Sequence, residues 1–240
     1  MNKLITNEEK DKDVLLFLHG WGCDGSIFKG ILPRFKEQFR CIVVDFRGFG
    51  YNVDPPADGW TIEDYARDIV QSLNKEGVSE VTIVAHSFGC RVATVIAATN
   101  PQLVKAMLFT GAAGFRRFSF RKWFKIRLYK LKKWCCRVGI LHPRHLKNSG
   151  SEDYRNARPA LKNTFVKVVN SDVSRYAVDV RCPLFVTVGD KDDVTPLWMA
   201  RRYCKLVKDS ALVVLKGDHF AFLTDVRFSE IAYQFVRGTR

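Results

Sequence analysis

Long apolar runs are missing from this sequence of 240 residues. A helix that spans a bilayer needs about 20 consecutive, mostly apolar residues, and no stretch of the chain reaches that length. The first apolar run, Val14–Leu18, is too short for the hydrophobic region of a secretory signal peptide. We therefore expect a soluble, cytoplasmic protein.

The cysteine patterns of metal sites and disulfide frameworks are also missing. The seven cysteines are scattered, and the sequence contains neither a C-x-x-C pair nor a Cys/His spacing typical of zinc ligands. Most of them lie in apolar patterns, where a free cysteine packs like a small hydrophobic residue. We expect no metal site and no cofactor.

Acidic residues are absent from the segment 115–150, which carries twelve Lys and Arg residues. The formal net charge of the whole chain is +14, so this segment holds most of the positive excess. Apolar residues recur in it at spacings of three and four, which predicts a long amphipathic helix with a basic opposite face. These residues are Phe120, Phe124, Leu128, Leu131, Cys135 and Val138.

Elsewhere, short apolar runs alternate with helical patterns, which is typical of a parallel sheet covered by helices on both faces. We therefore predict an α/β fold with a mostly parallel sheet flanked by helices and one large insertion. Strands are predicted at 14–18, 41–44, 81–84, 106–110, 184–188 and 211–215. Helices are predicted at about 26–39, 61–73, 91–99, 196–207 and 223–236, with further helical pattern at 151–170.

Ser87 stands at a sharp transition from strand to helix. The apolar run 81–84 stops at Ala85, and a helical pattern follows at 91–99. Ala85 and Gly89 lie two residues before and after the serine, and small residues there allow a tight turn that exposes the hydroxyl. This pattern predicts a nucleophile elbow at the carboxyl end of a strand, where open α/β sheets bind their ligands.

Polar side chains follow three other predicted strands. A serine hydroxyl becomes a useful nucleophile when an imidazole accepts its proton and a carboxylate orients that imidazole. The chain supplies these groups in the order Ser, Asp, His, although the residues alone leave the acid open among three aspartates. The strand-end residues are His19, Ser87, the cluster Asp190, Asp192 and Asp193, and His219.

Five motifs together carry a resemblance to a known family. The chain resembles the α/β-hydrolase fold superfamily, in its esterase-like serine hydrolase branch, from about residue 14 to 236 outside the insertion. The motifs are H-G-W-G at 19–22, D-F-R-G-F-G at 45–50, A-H-S-F-G at 85–89, G-D-K-D-D-V-T-P at 189–196 and G-D-H at 217–219.

The resemblance implies a role for several residues. It selects Asp192 as the acid of a catalytic triad with Ser87 and His219, by the spacing from Gly189. It implies that the backbone N–H groups of Trp21 and Phe88 form the oxyanion hole. It further implies that 1–112 and 181–240 form the hydrolase core, and that 113–180 forms a helical cap over the pocket.

The function that follows from these expectations is hydrolysis of a carboxylic ester of a small molecule through an acyl-enzyme. A thioesterase and a carbon–carbon bond hydrolase remain alternatives on the same fold. So does a non-catalytic protein that uses its basic segment to bind a membrane or an acidic partner.

The basic segment itself leaves three interpretations open. Its apolar side covers the pocket with the basic side in solvent, or the helix rests on an anionic membrane surface. Alternatively, its positive field attracts acidic substrates or acyl carriers. Nucleic acid is not an expected partner, since the aromatic residues belong to the apolar side and no recognition motif accompanies them.

Overall fold

The computed structural model of the chain describes residues 3–5, 11–52, 59–116, 120–142 and 152–239. The described residues form a seven-stranded sheet with the order β1-β3-β2-β4-β5-β6-β7. Strand β1 is antiparallel to β3, and every other neighbouring pair is parallel. The strands are Lys3–Ile5 (β1), Val14–Leu18 (β2), Arg40–Val44 (β3), Val81–His86 (β4), Val104–Thr110 (β5), Leu184–Gly189 (β6) and Ser210–Leu215 (β7).

Helices cover both faces of this sheet. Alternate residues of β2 enter opposite core layers: Leu16 and Leu18 join one, and Leu15 and Phe17 join the other. This pattern of two buried faces confirms the predicted α/β fold. The helices are Pro33–Lys36 (α1), Ile62–Lys75 (α2), Phe88–Thr99 (α3), Phe120–Arg137 (α4), Glu152–Asn156 (α5), Lys162–Asn170 (α6), Ser174–Ala177 (α7), Leu197–Leu206 (α8), Ala221–Thr224 (α9) and Phe228–Gly238 (α10).

The predicted secondary structure was wrong in three places. The region 26–39 forms a short 3-10 helix, Gly25–Phe28, and the four-residue α1, which begins at Pro33. A proline has no N–H for a helix interior, so it favours the start of a new helix. The last predicted helix is divided into α9 and α10, and β1 was not predicted at all.

Helices α4 to α7 lie in the connection between β5 and β6. On the α6 side, the backbone N–H of Trp60 donates to Thr164 Oγ1 at 3.0 Å, and Lys167 Nζ donates to the carbonyl of Gly59 at 2.7 Å. These bonds attach α6 to the segment that precedes α2. None of the described helices combines the length and the apolar character that crossing a membrane requires.

Candidate active site

Ser87 occupies the turn between β4 and α3 in a strained backbone conformation. Its φ and ψ are 50° and −108°, and it is the one non-glycine among the described residues with a positive φ. Such a conformation costs about 1–3 kcal/mol and persists where the surroundings enforce it. Here the Ser87 N–H donates to the carbonyl of Thr110, at the end of β5, at 3.0 Å. The strained backbone and the position of the serine between a strand and a helix are the features of a nucleophile elbow.

Asp192 and His219 form a hydrogen-bonded pair. Asp192 follows β6 and His219 follows β7, and His219 Nδ1 lies 2.9 Å from Asp192 Oδ2. The carboxylate is buried and also accepts the backbone N–H groups of Val194 at 3.0 Å and Thr195 at 2.7 Å. Burial alone would raise the pKa of Asp192, but the hydrogen bonds from His219 and Thr195 bring it below its ordinary value. Asp192 is therefore an ionised acceptor that fixes the Nδ1–H tautomer of His219.

Thr195 is a member of this arrangement that the sequence reasoning missed. Its hydroxyl donates to Asp192 Oδ2 at 2.7 Å, and its oxygen lies 3.1 Å from His219 Nδ1. The hydroxyl therefore contacts both partners of the pair and restricts the orientation of the imidazole. The available signal was its place just before Pro196, in the same turn as Asp192.

The Asp192–His219 pair lies beside the elbow. The ring of His219 is 4.7 Å from that of His86, the residue before Ser87. A Cβ on Gly111 would come within 2.9 Å of the His219 ring, so the imidazole lies directly on the backbone that follows β5. Since Thr110 binds the Ser87 N–H, the serine and the imidazole share one edge of the sheet.

The loop after β2 packs against the same elbow. A Cβ on Gly20 would lie 2.9 Å from His86 Cδ2 and 3.4 Å from Ser87 Cβ, so a glycine permits this close approach. The backbone of Trp21 therefore begins next to Ser87. Phe88 is the first residue of α3, where N–H groups have no partner within the helix and favour an anion.

Two buried histidines near the site have structural contacts. His19 Nε2 accepts the backbone N–H of Phe46 at 3.0 Å, while its Nδ1 lies 2.7 Å from the carbonyl of Gly20. Burial lowers the pKa of His19 to about 4 and that of His86 to about 3. Both are therefore neutral near pH 7, and His19 holds two loops together.

The other two aspartates of the cluster and the histidines of the basic segment have different surroundings. Asp190 binds Lys216 Nζ at 2.9 Å and the N–H of Gly217 at 3.0 Å, and Asp193 is exposed. His142 is exposed, and His145 lies outside the described residues. No group of three His, Cys, Asp or Glu side chains in the described ranges is arranged to hold a metal ion.

A cleft of about 480 Å³ opens beside the Trp21 loop. One wall contains Trp21 and Phe49, and the other contains Arg158 and Leu161 from the connection between β5 and β6. The Trp21 ring also packs edge-on against Phe165 of α6, with centroids 5.2 Å apart. The connection therefore shapes the surroundings of the site from the α6 side.

Known proteins share this architecture. The putative carbamate hydrolase RutD of Escherichia coli is 22% identical over 90% of this chain and 86% of its own length. The solved esterase EaEST of Exiguobacterium antarcticum has a TM-score of 0.75 at 20% identity, covering 98% of this chain and 94% of its own. A meta-cleavage product hydrolase of Pseudomonas fluorescens has a TM-score of 0.74 at 17% identity, covering 100% and 94%.

The family itself follows from a match to a family model. The family model for the alpha/beta hydrolase fold matches residues 13–140, just over half of the chain. The matched region contains the Trp21 loop and the Ser87 elbow, and the parallel sheet extends the agreement to β7. The chain belongs to the alpha/beta hydrolase fold family.

Proposed function

We propose that this chain is a serine hydrolase that cleaves carboxylic esters. Ser87 is the nucleophile, His219 is the general base and acid, and Asp192 orients His219. The observation that carries the proposal is the 2.9 Å contact between Asp192 and His219, beside the one strained non-glycine turn of the described chain.

In the first step, Ser87 Oγ attacks the carbonyl carbon of the ester and its proton passes to His219 Nε2. The imidazolium that forms is stabilised by Asp192, to which Nδ1–H already donates. The carbonyl oxygen becomes an oxyanion, and the N–H groups of Trp21 and Phe88 donate to it.

In the second step, the tetrahedral intermediate collapses and its C–O bond to the alcohol breaks. The leaving alkoxide takes the proton from His219 Nε2, and the acyl group remains on Ser87. His219 then takes a proton from a water molecule, whose oxygen attacks the acyl carbon. As the bond between that carbon and Ser87 Oγ breaks, His219 Nε2 returns the proton to Ser87 Oγ, and the acid is released. The cycle needs no cofactor.

The ester is favoured over a carbon–carbon bond by leaving-group chemistry. An alcohol oxygen accepts a proton directly from His219, so the groups in place complete the reaction. Two similar proteins bear the names esterase and carbamate hydrolase, and both names describe a carbonyl carbon bonded to a heteroatom. Thioesters, carbamates and substrates of carbon–carbon bond hydrolases are the alternatives that the experiment compares with esters.

The experiment combines active-site labelling with substrate screening. A fluorophosphonate probe should label the folded protein at Ser87, and Ser87→Ala should abolish labelling. p-Nitrophenyl esters of graded chain length should be hydrolysed, whereas thioester, carbamate and carbon–carbon substrates should react more slowly. A protein that takes up no probe while folded would instead be a binding protein on a hydrolase scaffold.

Two neighbouring aspartates offer a matched control. Asp192→Asn should lower kcat/KM about a thousandfold or more, because the amide leaves His219 without an anionic partner. Asp193→Asn changes the same functional group on an exposed side chain and should leave kcat/KM within about twofold. Equal effects of the two substitutions would remove Asp192 from the proposed mechanism.

A further inference from the structure

Helix α4 presents an apolar surface to solvent. We call it the α4 face, and it comprises six side chains that are each at least two-fifths exposed. They are Phe124 (63%), Leu128 (42%), Leu131 (54%), Trp134 (56%), Val138 (50%) and Ile140 (66%). Residues 124, 128, 131 and 138 follow helical spacing, so they lie on one side of the helix and its C-terminal extension. A contiguous apolar surface of this kind marks an interaction site.

The charge around the α4 face has a single sign. Residues 120–137 contain eight Lys and Arg residues and no Asp or Glu. Lys132, Lys133 and Arg137 are exposed. On a solvated helix, an acidic residue three or four positions from a basic one forms a stabilising ion pair along the surface, and α4 has no such residue. The sequence of α4 therefore carries charge of one sign only, which is complementary to a partner of negative charge.

We propose that the α4 face binds the surface of an anionic lipid membrane. An amphipathic helix with exposed Trp, Phe and Leu side chains and flanking cations suits the boundary between headgroups and acyl chains. The 18 residues of α4 would lie along that boundary for about 27 Å. The proposal concerns a helix that lies on the bilayer, and it does not depend on the catalytic role of Ser87.

Charge argues against a second copy of the chain as the partner. Two α4 helices in contact would bring together two segments that each contain eight Lys and Arg residues and no acidic residue, in a protein with a formal net charge of +14. Like charges repel across an interface, and this repulsion opposes a symmetric dimer through α4. An anionic bilayer matches both features, since its headgroups attract the cations and its acyl chains accept the apolar side chains.

The test is co-sedimentation of the full chain with vesicles at low salt. Phosphatidylcholine vesicles containing 30% phosphatidylglycerol should bind the protein at least about tenfold more tightly than pure phosphatidylcholine vesicles. Raising the salt concentration should weaken binding by screening the charges. Trp134 emission should shift to shorter wavelength on binding, and Trp134→Phe should remove that part of the shift.

Matched variants distinguish binding through the α4 face from a general effect of the protein's net charge. Lys132→Glu/Lys133→Glu should weaken binding at least about tenfold, because it reverses two charges beside the α4 face. Lys205→Glu/Lys208→Glu changes the net charge equally on another surface and should have little effect. Equal loss in both double variants would overturn the proposal in favour of a diffuse electrostatic effect.

The apolar component has its own control. Leu131→Ala/Trp134→Ala should weaken vesicle binding about tenfold, and Val178→Ala/Val226→Ala, at two other exposed apolar positions, should not. Absence of binding to anionic vesicles at low salt would overturn the proposal. So would tight binding to an acidic polypeptide together with none to vesicles, or concentration-dependent dimerisation that the Leu131→Ala/Trp134→Ala variant abolishes.

Discussion

Helices α4 and α6 belong to the same connection, yet they place their apolar side chains differently. Phe165 and Val168 of α6 are 7% and 3% exposed, whereas Phe124 and Trp134 of α4 are 63% and 56% exposed. Both helices are amphipathic in sequence. Helical periodicity therefore identifies a helix and its apolar side, but not the surface that covers that side.

Contacts with the core explain the difference. Arg91 of α3 donates to the carbonyl of Ser171 at 2.7 Å and to that of Gly114 at 3.5 Å, so it joins the start of the connection and the residue after α6 to the core. Phe165 of α6 packs on Trp21 beside the elbow. The α6 side is therefore part of the site, while the α4 face is available to an external partner.

The largest expected effect is on stability. Phe165→Ala should lower the free energy of unfolding by about 3–5 kcal/mol, because it leaves a cavity between α6 and Trp21. Phe124→Ala, the same change on the exposed face, should lower it by less than about 0.5 kcal/mol. Urea denaturation measures both. Similar losses would mean that α4 is packed in solution and that the contrast between the helices is wrong.

A smaller effect is expected where a buried arginine holds the connection. Arg91→Met should cost about 2–3 kcal/mol of unfolding free energy, because the carbonyls of Ser171 and Gly114 lose a charged donor. Arg137→Met removes an exposed guanidinium from α4 and should cost less than about 0.5 kcal/mol. If calorimetry gives equal melting temperatures for the two variants, Arg91 does not anchor the connection.

The sequence predicted most of the fold because alternating patterns suit a parallel sheet. It did not predict β1, whose three residues are too few for a periodic signal. It also merged the 3-10 helix at Gly25–Phe28 with α1, although Pro33 marked a break between them. Such errors arise where a local pattern depends on tertiary pairing or on a single helix-breaking residue.

At the site, motif order indicated which strand ends should meet. The structure places His219 against Asp192 rather than Asp190, whose carboxylate is occupied by Lys216 and Gly217. It also adds Thr195, whose contact with His219 joins residues 24 apart in the chain, so the only signal in the sequence was its place just before Pro196. The sequence also could not predict that the α4 face is exposed, because helical periodicity does not indicate which surface packs against a helix.

The buried surroundings of the elbow and the exposed α4 face should also differ in how they affect stability as the pH changes. His86 beside the elbow has its pKa lowered to about 3 by burial, while an unfolded histidine titrates near 6.5. Below about pH 6.5 the unfolded chain binds a proton at His86 that the native state does not bind. The contribution of His86 to the free energy of unfolding is therefore fully present above that pH and decreases as the pH falls below it. The loss at pH 5 should be about 2 kcal/mol for this histidine.

The matched measurement compares urea denaturation at pH 7 and pH 5. His86→Gln cannot take up the proton, so it should lose about 2 kcal/mol less than the unsubstituted chain between these pH values. Lys132→Ala/Lys133→Ala on α4 should leave the difference unchanged, because lysine stays charged throughout this range. An unchanged pH response in His86→Gln would show that His86 is not held neutral by the fold.

The smallest expected effect concerns the basic residues of the two regions. Arg158 lines the cleft beside Trp21, whereas Arg137 lies on α4. If the cleft receives the substrate, Arg158→Ala should lower kcat/KM for p-nitrophenyl hemisuccinate, an anionic ester, by about three- to fivefold. It should leave kcat/KM for neutral p-nitrophenyl butyrate unchanged, and Arg137→Ala should alter neither value. A loss with Arg137→Ala as well would show that the positive field of α4 reaches the cleft, and the two regions would then act together on anionic substrates.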